Sequence, residues 1–388
     1  MRPSFPLPLL KVVSPRTAIR TPVPASPRPE VSIIIPARNE EANIGGCLES
    51  LTSQTGVAFE IIVVDDGSID RTRKIAQSIA GVRVISAAPP FHGWTGKNNA
   101  LVAGVKAAGA KPAHADWLLF TDADTIHLPG SLARALGEAR NERVDLLSYS
   151  PEQIVVTFAE RAVMPIIFAE LAAQYPPRKV REQNSGIAAA NGQYILVRRE
   201  AYEAVGGHAA VATEILEDVA LARRFRNAGK RVYFRYGGDA VRTRMYRTWE
   251  SLREGWTKNL ALLFPHPDRL ALRSLFWWFT AWSALGAAAF GAATQHFAWI
   301  AFAALWLLLY WRISIARFAI INNLIAIACG LPILAYLLRR SKQAYANGQV
   351  SWKGRAYEVG PRPRSTSTEP QVRKLILRAQ GTKLRAEN

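Results

Sequence analysis

Residues 274–311 contain no Asp, Glu, Lys or Arg, and residues 318–338 contain none either. No other feature restricts the fold so tightly. A helix needs roughly 20 consecutive apolar residues to cross a bilayer. The first stretch is nearly twice that length, so it divides at Thr294-Gln295-His296 into 274–293 and 297–311. Segment 318–338 is a third span. Six tryptophans from Trp277 to Trp311 fall in the first two segments, as in the aromatic belts of membrane interfaces. The pattern predicts a transmembrane region over 263–338 in a multi-pass protein of the cell (inner) membrane. Arg269 and Arg273 precede the first span, and Arg312 and Arg317 follow the second. By the positive-inside tendency the preceding domain is then cytoplasmic. Three full crossings would put the basic tail 339–388 outside. Either the segment interrupted by Gly330 and Pro332 re-enters, or the tendency is broken.

The formal net charge is +19, which invites a nucleic-acid reading. Its placement argues otherwise. The tail 339–388 carries +9 and residues 1–30 carry +4. Both flank or follow apolar segments, which suits an anionic membrane surface. No zinc-finger spacing and no aromatic-basic platform for single strands occurs, so the expected partner is the membrane and not nucleic acid. The two cysteines, Cys47 and Cys329, predict no disulfide framework and fit a reducing compartment. No signal peptide is expected, because the apolar run Phe5–Leu10 is short and holds two prolines.

Residues 1–30, rich in Pro, Arg, Ser and Thr, predict a disordered basic arm. Order is expected from Val31-Ser32-Ile33-Ile34-Ile35-Pro36, a β-branched run that reads as a buried strand. A helix over 40–54 follows, then a strand over Glu60–Val64, a helix over Asp70–Ala80 and a strand over Val82–Ser86. A loop around Gly93-Trp94-Thr95-Gly96-Lys97 leads into a helix over 98–109. Strand Trp117–Phe120 precedes Asp122-Ala123-Asp124. Helices are expected over 130–140, 216–228 and 249–262, with a strand over Tyr194–Arg198. Segment 159–175 fits an interfacial helix and a core helix equally. This alternation predicts an α/β domain over 31–262 with a mainly parallel sheet and flanking helices. In such sheets ligands bind outside the carboxyl ends of the strands.

Two acidic clusters fall at those ends. Asp122 and Asp124 are hard ligands suited to Mg²⁺ or Mn²⁺, an ion that also bridges phosphate oxygens. Asp65-Asp66-Gly67-Ser68 offers carboxylates to a base and ribose, although a turn capping the next helix needs such a residue too. Lys97, at a helix start, is placed to pair with a phosphate. Glu217-Asp218 opens another helix, where its carboxylates serve either to cap that helix or as a general base, and the two readings stand equal.

Together these pieces resemble the family-2 glycosyltransferases with the GT-A fold. The resemblance rests on Val31-Ser32-Ile33-Ile34-Ile35-Pro36-Ala37-Arg38-Asn39-Glu40, Val63-Val64-Asp65-Asp66-Gly67-Ser68-Ile69-Asp70, Asp122-Ala123-Asp124 and Glu217-Asp218, in the family's order over roughly 31–262. Gly93-Trp94-Thr95-Gly96-Lys97 and Trp352-Lys353-Gly354-Arg355 are similar to a subgroup that includes carotenoid-acid and hopanoid-associated glycosyltransferases. The resemblance implies a GT-A, Rossmann-like sheet followed by transmembrane helices. It implies a nucleoside-diphosphate sugar, a UDP-sugar first among them, with Asp65 and Asp66 on base and ribose. Pro36, Arg38 and Glu40 would line the pocket, Asp122 and Asp124 would hold metal and diphosphate, and Asp218 would be the base beside Glu217. It implies inverting transfer of a single sugar to a lipid acceptor. Processive synthases carry Gln-x-x-Arg-Trp after the base. Here Leu252-Arg253-Glu254-Gly255-Trp256 keeps only the Trp in place, which disfavours polymer synthesis. Trp256 is expected near the acceptor or in the core. The alternatives are a polyprenyl-phosphate sugar transferase, a polysaccharide synthase and a non-catalytic nucleotide-binding membrane scaffold.

Overall fold

The computed structural model describes residues 28–109, 114–294 and 299–358. Most of the expected N-terminal arm, and the tail beyond 358, lie outside the described residues.

The first half of the chain runs β1 (Val31–Ala37), α1 (Ile44–Thr52), β2 (Phe59–Asp65), α2 (Thr72–Ser78), β3 (Val82–Ser86), α3 (Gly96–Ala108), β4 (Trp117–Phe120), β5 (Thr125–His127), α4 (Ser131–Asn141), β6 (Leu146–Ser150), β7 (Glu152–Gln153), α5 (Phe158–Gln174) and α6 (Pro177–Arg181). Then come β8 (Ile195–Arg198), α7 (Arg199–Ala204), a 3₁₀ turn at Gly207–Val211, α8 (Glu217–Asn227), β9 (Val232–Tyr236), β10 (Val241–Thr243) and α9 (Trp249–Leu263). Seven strands form one sheet in the order β3-β2-β1-β4-β8-β6-β9. Its pairs are parallel except that β8 runs antiparallel to β4 and β6. The mainly parallel α/β sheet is therefore present, with one reversed strand. β1, β2 and β4 are buried on both faces, which is why they are near-continuous apolar runs without alternation. Helix α3 packs so closely on them that a Cβ at Gly104 would lie 2.4 Å from Ile34 Cγ2. A small sheet, β5-β10-β7, stands beside the carboxyl end of β4.

The C-terminal part consists of α10 (Pro267–Ala293), α11 (Trp299–Ser314), α12 (Ile320–Ile325), a π turn at Ala326–Gly330 and α13 (Leu331–Ala346), then the hairpin β11 (Gln349–Trp352) and β12 (Arg355–Glu358). Two helices, Pro267–Ala293 and Ile320–Ala346, are long and apolar enough to cross a membrane. Helix α11, at 16 residues, is shorter. The third apolar segment does not turn back at Gly330 and Pro332. Pro332 offers no N–H to the carbonyl four residues earlier, Ala328. The indole N–H groups of Trp278 and Trp282 satisfy that carbonyl instead, at 2.8 and 3.0 Å. Trp306 donates to Ala281 O at 2.7 Å. Half of the tryptophans expected at interfaces thus tie one helix to another.

Two further readings change. Helix α5 is a core helix: Ala162, Val163, Ile166 and Ile167 are buried among α9, α10 and the 320–346 helix. It crosses that helix so tightly that a Cβ at Gly330 would lie 1.8 Å from the Ala162 carbonyl oxygen. A tail beginning at 339 is also not what forms, because α13 continues to Ala346 and the hairpin folds back onto the domain. The apolar face of Leu334, Leu337 and Leu338 carries the helix past the charged Arg339 and Arg340. At the junction, Glu170 of α5 accepts from Arg273 at 2.6 Å and from Arg312 at 2.8 Å. The start of the α10 span and the end of α11 therefore lie at one level.

Candidate active site

The turn Asp122-Ala123-Asp124 leaves β4 and is pinned by its backbone. Thr125 Oγ1 donates to the Asp122 carbonyl at 2.7 Å, and Thr243 Oγ1 donates to the Asp124 carbonyl at 3.1 Å. Thr121 Oγ1 donates to Gln193 O at 2.8 Å and lies 3.1 Å from His127 Nε2. Burial keeps that imidazole neutral, with its pKa lowered to about 3. Cys47 on α1 directs its thiol at the Asp122 carbonyl, and burial raises its pKa to about 12. With carbonyls and hydroxyls so engaged, the two carboxylates are left to face the crevice.

Lys97, in the first turn of α3, sits 2.8 Å from Asp122 Oδ1 and 2.8 Å from Glu217 Oε1. Desolvation opposes its charge, but the two carboxylates hold its pKa well above the ordinary value. Glu217 is likewise desolvated, and Lys97 more than offsets this, so its pKa is lowered. Asp218 differs. Its Oδ2 accepts from the Gly192 N–H at 2.9 Å and its Oδ1 from the Val219 N–H at 2.7 Å. Burial and the neighbouring Glu217 charge raise its pKa to about 6. Gly192 lies close against these side chains: a Cβ there would stand 2.9 Å from Lys97 Nζ and 3.3 Å from Glu217 Oε1. Asp124 Oδ1 is buried with no hydrogen-bond partner. Burial, then Asp122 and Glu40, raise its pKa to about 8. A carboxylate in that condition is complementary to a cation.

The second acidic cluster divides its labour. Asp65 Oδ1 accepts from the Ser68 N–H at 3.2 Å, so Asp65 shapes the turn. Asp66 faces the crevice and is gripped by both terminal nitrogens of Arg355. Arg38 donates to the Asp66 carbonyl at 2.7 Å. Gly96 lies against this pair, and a Cβ there would fall 2.4 Å from Asp66 Oδ2. Thr95 caps α3 by accepting from Asn98 N at 3.2 Å. Asn98 Nδ2 in turn donates to the carbonyls of Val211, Ala212 and Glu214, which fixes the approach to Glu217. Glu40 pairs with Lys353, whose ammonium also donates to the Arg38 carbonyl at 3.1 Å.

Lys353 and Arg355 were not among the expected site residues. Their charge was assigned to a membrane-facing tail, although a Trp and a Gly within the basic string Trp352-Lys353-Gly354-Arg355 mark a structured turn. Gly192 and Lys258 were also missed; neither stands in a recognisable motif. Trp256 is 2% exposed, packs edge-on against Phe168 at 6.3 Å and leaves its indole N–H without a partner. It is core and cavity wall together.

Lys97, Gly192, Glu217, Trp256, Lys258 and Lys353 line one cavity of about 1300 Å³, whereas Asp65 and Arg355 stand behind its wall. Pro36, Arg38, Glu40 and Asp66 bound one end, and Asp122, Asp124 and Asp218 the middle. The remaining lining is mostly apolar where Phe168, Leu171 and Ala172 of α5 meet Ile315, Ala316 and Phe318 of the turn after α11, with Arg317 the charged residue of that turn.

Residues 32–206 match the family model described as glycosyl transferase family 2. The chain carries a family 2 glycosyltransferase domain. It is a transferase enzyme. The chain is similar to 4,4'-diaponeurosporenoate glycosyltransferase of Staphylococcus aureus (strain USA300), with 27% identity over 85% of this chain and 88% of that protein. The protein of that name from strain MRSA252 is 32% identical over 60% of each chain. Among solved structures, the chain is similar to the mannosyltransferase PcManGT from Pyrobaculum calidifontis in complex with GDP-Man and Mn²⁺. That match has 18% identity and a TM-score of 0.46, and covers 82% of this chain and 87% of that one.

Proposed function

We propose that this glycosyltransferase moves one sugar, with inversion, from a nucleoside-diphosphate sugar to a lipid acceptor of isoprenoid type at the inner membrane. A UDP-sugar is the first donor to test. The observation that carries the reading is the single cavity, polar and acidic at the strand ends and apolar where it meets α5 and the α11–α12 turn. A sugar nucleotide needs the first surface, and a long hydrocarbon needs the second. The relative from Staphylococcus aureus is named for 4,4'-diaponeurosporenoate, a carotenoid acid, which is an acceptor of that shape. The two long apolar helices support a membrane location. The shared level of Arg273 and Arg312 supports a cytoplasmic catalytic domain.

In this reading Asp66 and Arg38, with Pro36, Glu40 and the turn built by Asp65, receive the nucleoside. Asp122 and Asp124 are the residues that would hold Mg²⁺ or Mn²⁺. The partnerless Asp124 Oδ1 fits that role. Such an ion is held by one or two carboxylates plus substrate phosphates, and needs no all-protein cage. When bound, it would neutralise charge on the diphosphate. Asp218 takes the proton from the acceptor oxygen, which attacks the anomeric carbon opposite the departing diphosphate. Glu217 keeps Lys97 in place between the base and Asp122. Trp256 and Phe168 exclude water from the acceptor side. Position 255 is Gly, where processive synthases carry Arg, which favours a single transfer over polymerisation.

Membranes containing the chain, incubated with radiolabelled UDP-sugar and Mg²⁺ or Mn²⁺, test this directly. Label in the organic phase, lost on chelation, is expected. Label in a water-soluble polymer would overturn the lipid-glycoside reading.

A further inference from the structure

We infer that Lys258 contacts the diphosphate of the donor and takes up the charge that develops as the sugar departs. This rests on the glycosyl-transfer reading above and adds a catalytic residue to it.

The crevice holds several cations, and most are already matched. Lys97 is paired with Asp122 and Glu217, Lys353 with Glu40, and Arg355 with Asp66. Lys258 lines the same cavity. Among the described residues its ammonium has no carboxylate partner, and it sits 4.7 Å from the ring centre of Trp352. Burial lowers its pKa below the ordinary lysine value, with the Lys97 charge adding to this, while Glu217, Asp122 and Asp218 favour the charged form. A cation resting on an aromatic face beside the catalytic carboxylates retains its full hydrogen-bonding capacity for an anion.

The helix around Lys258 is clamped. Ser341 Oγ donates to the Thr257 carbonyl at 2.6 Å and accepts from the Ala261 N–H at 2.9 Å. Tyr345 Oη donates to the carbonyl of Lys258 itself at 2.6 Å. Helix α13 therefore fixes the stem from which the ammonium reaches. The neighbouring sequence explains why the cation stands here. A Cβ at Gly255 would lie 2.4 Å from Tyr246 Oη, so no basic side chain fits at that position. Lys258 follows three residues later, on the same face one turn on.

Two anions are conceivable at this ammonium, the donor diphosphate and a carboxylate on the acceptor. Trp352 decides for the first. It belongs to the hairpin turn whose Lys353 and Arg355 meet Glu40 and Asp66, so Lys258 stands at the nucleotide end. In the transfer step the bond between the anomeric carbon and the diphosphate oxygen breaks, and its electron pair leaves on that oxygen. The acceptor oxygen forms the new bond and its proton goes to Asp218. Lys258 keeps its proton and hydrogen-bonds the departing oxygens, a contact that strengthens as charge develops.

The test uses the full chain in lipid nanodiscs. UDP and UMP, and GDP and GMP, are titrated against the parent, Lys258→Met and Lys258→Arg. Lys258→Met is expected to bind the diphosphate about tenfold more weakly, with monophosphate affinity unchanged and kcat lowered more than the donor KM is raised. Lys258→Arg should restore diphosphate affinity. A parent that binds neither pair overturns the glycosyl-transfer reading itself. A parent that binds them, with the diphosphate-to-monophosphate ratio unchanged in Lys258→Met, overturns the role of Lys258 alone. So does a rise in acceptor KM with diphosphate affinity intact.

Discussion

The acidic and basic sides of the crevice are built in different ways. The turn carrying Asp122 and Asp124 is held by Thr125 of β5 and Thr243 of β10, and by the bond from Thr121, just past β4, to Gln193, just before β8. Asp218 is held by two backbone N–H groups. The cations opposite are long side chains. Two of them, Lys353 and Arg355, come from a two-stranded hairpin that joins neither larger sheet. Such a hairpin has little stability of its own. It is positioned by the ion pairs it makes with Glu40 and Asp66 and by Trp352 against Lys258. The lesson is one of preorganisation: the carboxylates are fixed by short contacts to the backbone of the domain, whereas the cations reach the crevice on long side chains and are placed by the carboxylates they pair with.

The largest effect should come from the carboxylate proposed as the base. Asp218→Asn is expected to lower kcat by about 10²–10⁴-fold, the usual contribution of a general base, in a protein that remains folded at the assay temperature. A loss within twofold would sink its assignment. Asp124→Asn should lower transfer comparably, and metal titration should then no longer restore activity after chelation.

The anchoring network can be broken separately. Thr125→Val removes the donor to the Asp122 carbonyl inside a buried cluster, and should cost about 1–3 kcal/mol in chemical denaturation. Activity should fall even at temperatures where the variant is fully folded. A variant that loses stability but keeps its turnover would show that the turn needs no such anchor.

pH sharpens the same contrast. A base works in its ionised form, so transfer should rise as pH increases through about 6, the value to which burial and Glu217 raise Asp218, and should be lost below it. In Asp218→Glu that limb should move, whereas in Lys353→Gln it should stay. The smallest effect is expected at the hairpin. The Lys353–Glu40 pair is partly exposed and screened, so Lys353→Gln should change the donor KM by no more than about fivefold, the equivalent of about 1 kcal/mol.

Much of the acidic side was legible in the sequence because each part is local. An apolar run ending in Asp-Asp or Asp-x-Asp specifies both the strand and what stands at its carboxyl end. The reversed direction of β8 was not legible, because Tyr194–Arg198 reads alike in either orientation. The course of the helix through Gly330 and Pro332 stayed open between two alternatives because the two indole donors that rescue the Ala328 carbonyl lie about 50 residues earlier. Arg355 was missed for a similar reason: its partner Asp66 is 289 positions away. No local pattern encodes contacts of that range.

The central claim is that one cavity holds donor and acceptor together, and Ala172, where α5 lines that cavity, tests it on the apolar side. The measurement is lipid glycosylation by Ala172→Trp, with nucleoside-diphosphate affinity determined on the same preparation. The account predicts that transfer to lipid falls at least about tenfold, the equivalent of about 1.4 kcal/mol, while nucleotide affinity stays within twofold. Transfer at the parent rate, with the indole filling that end of the cavity, would contradict it.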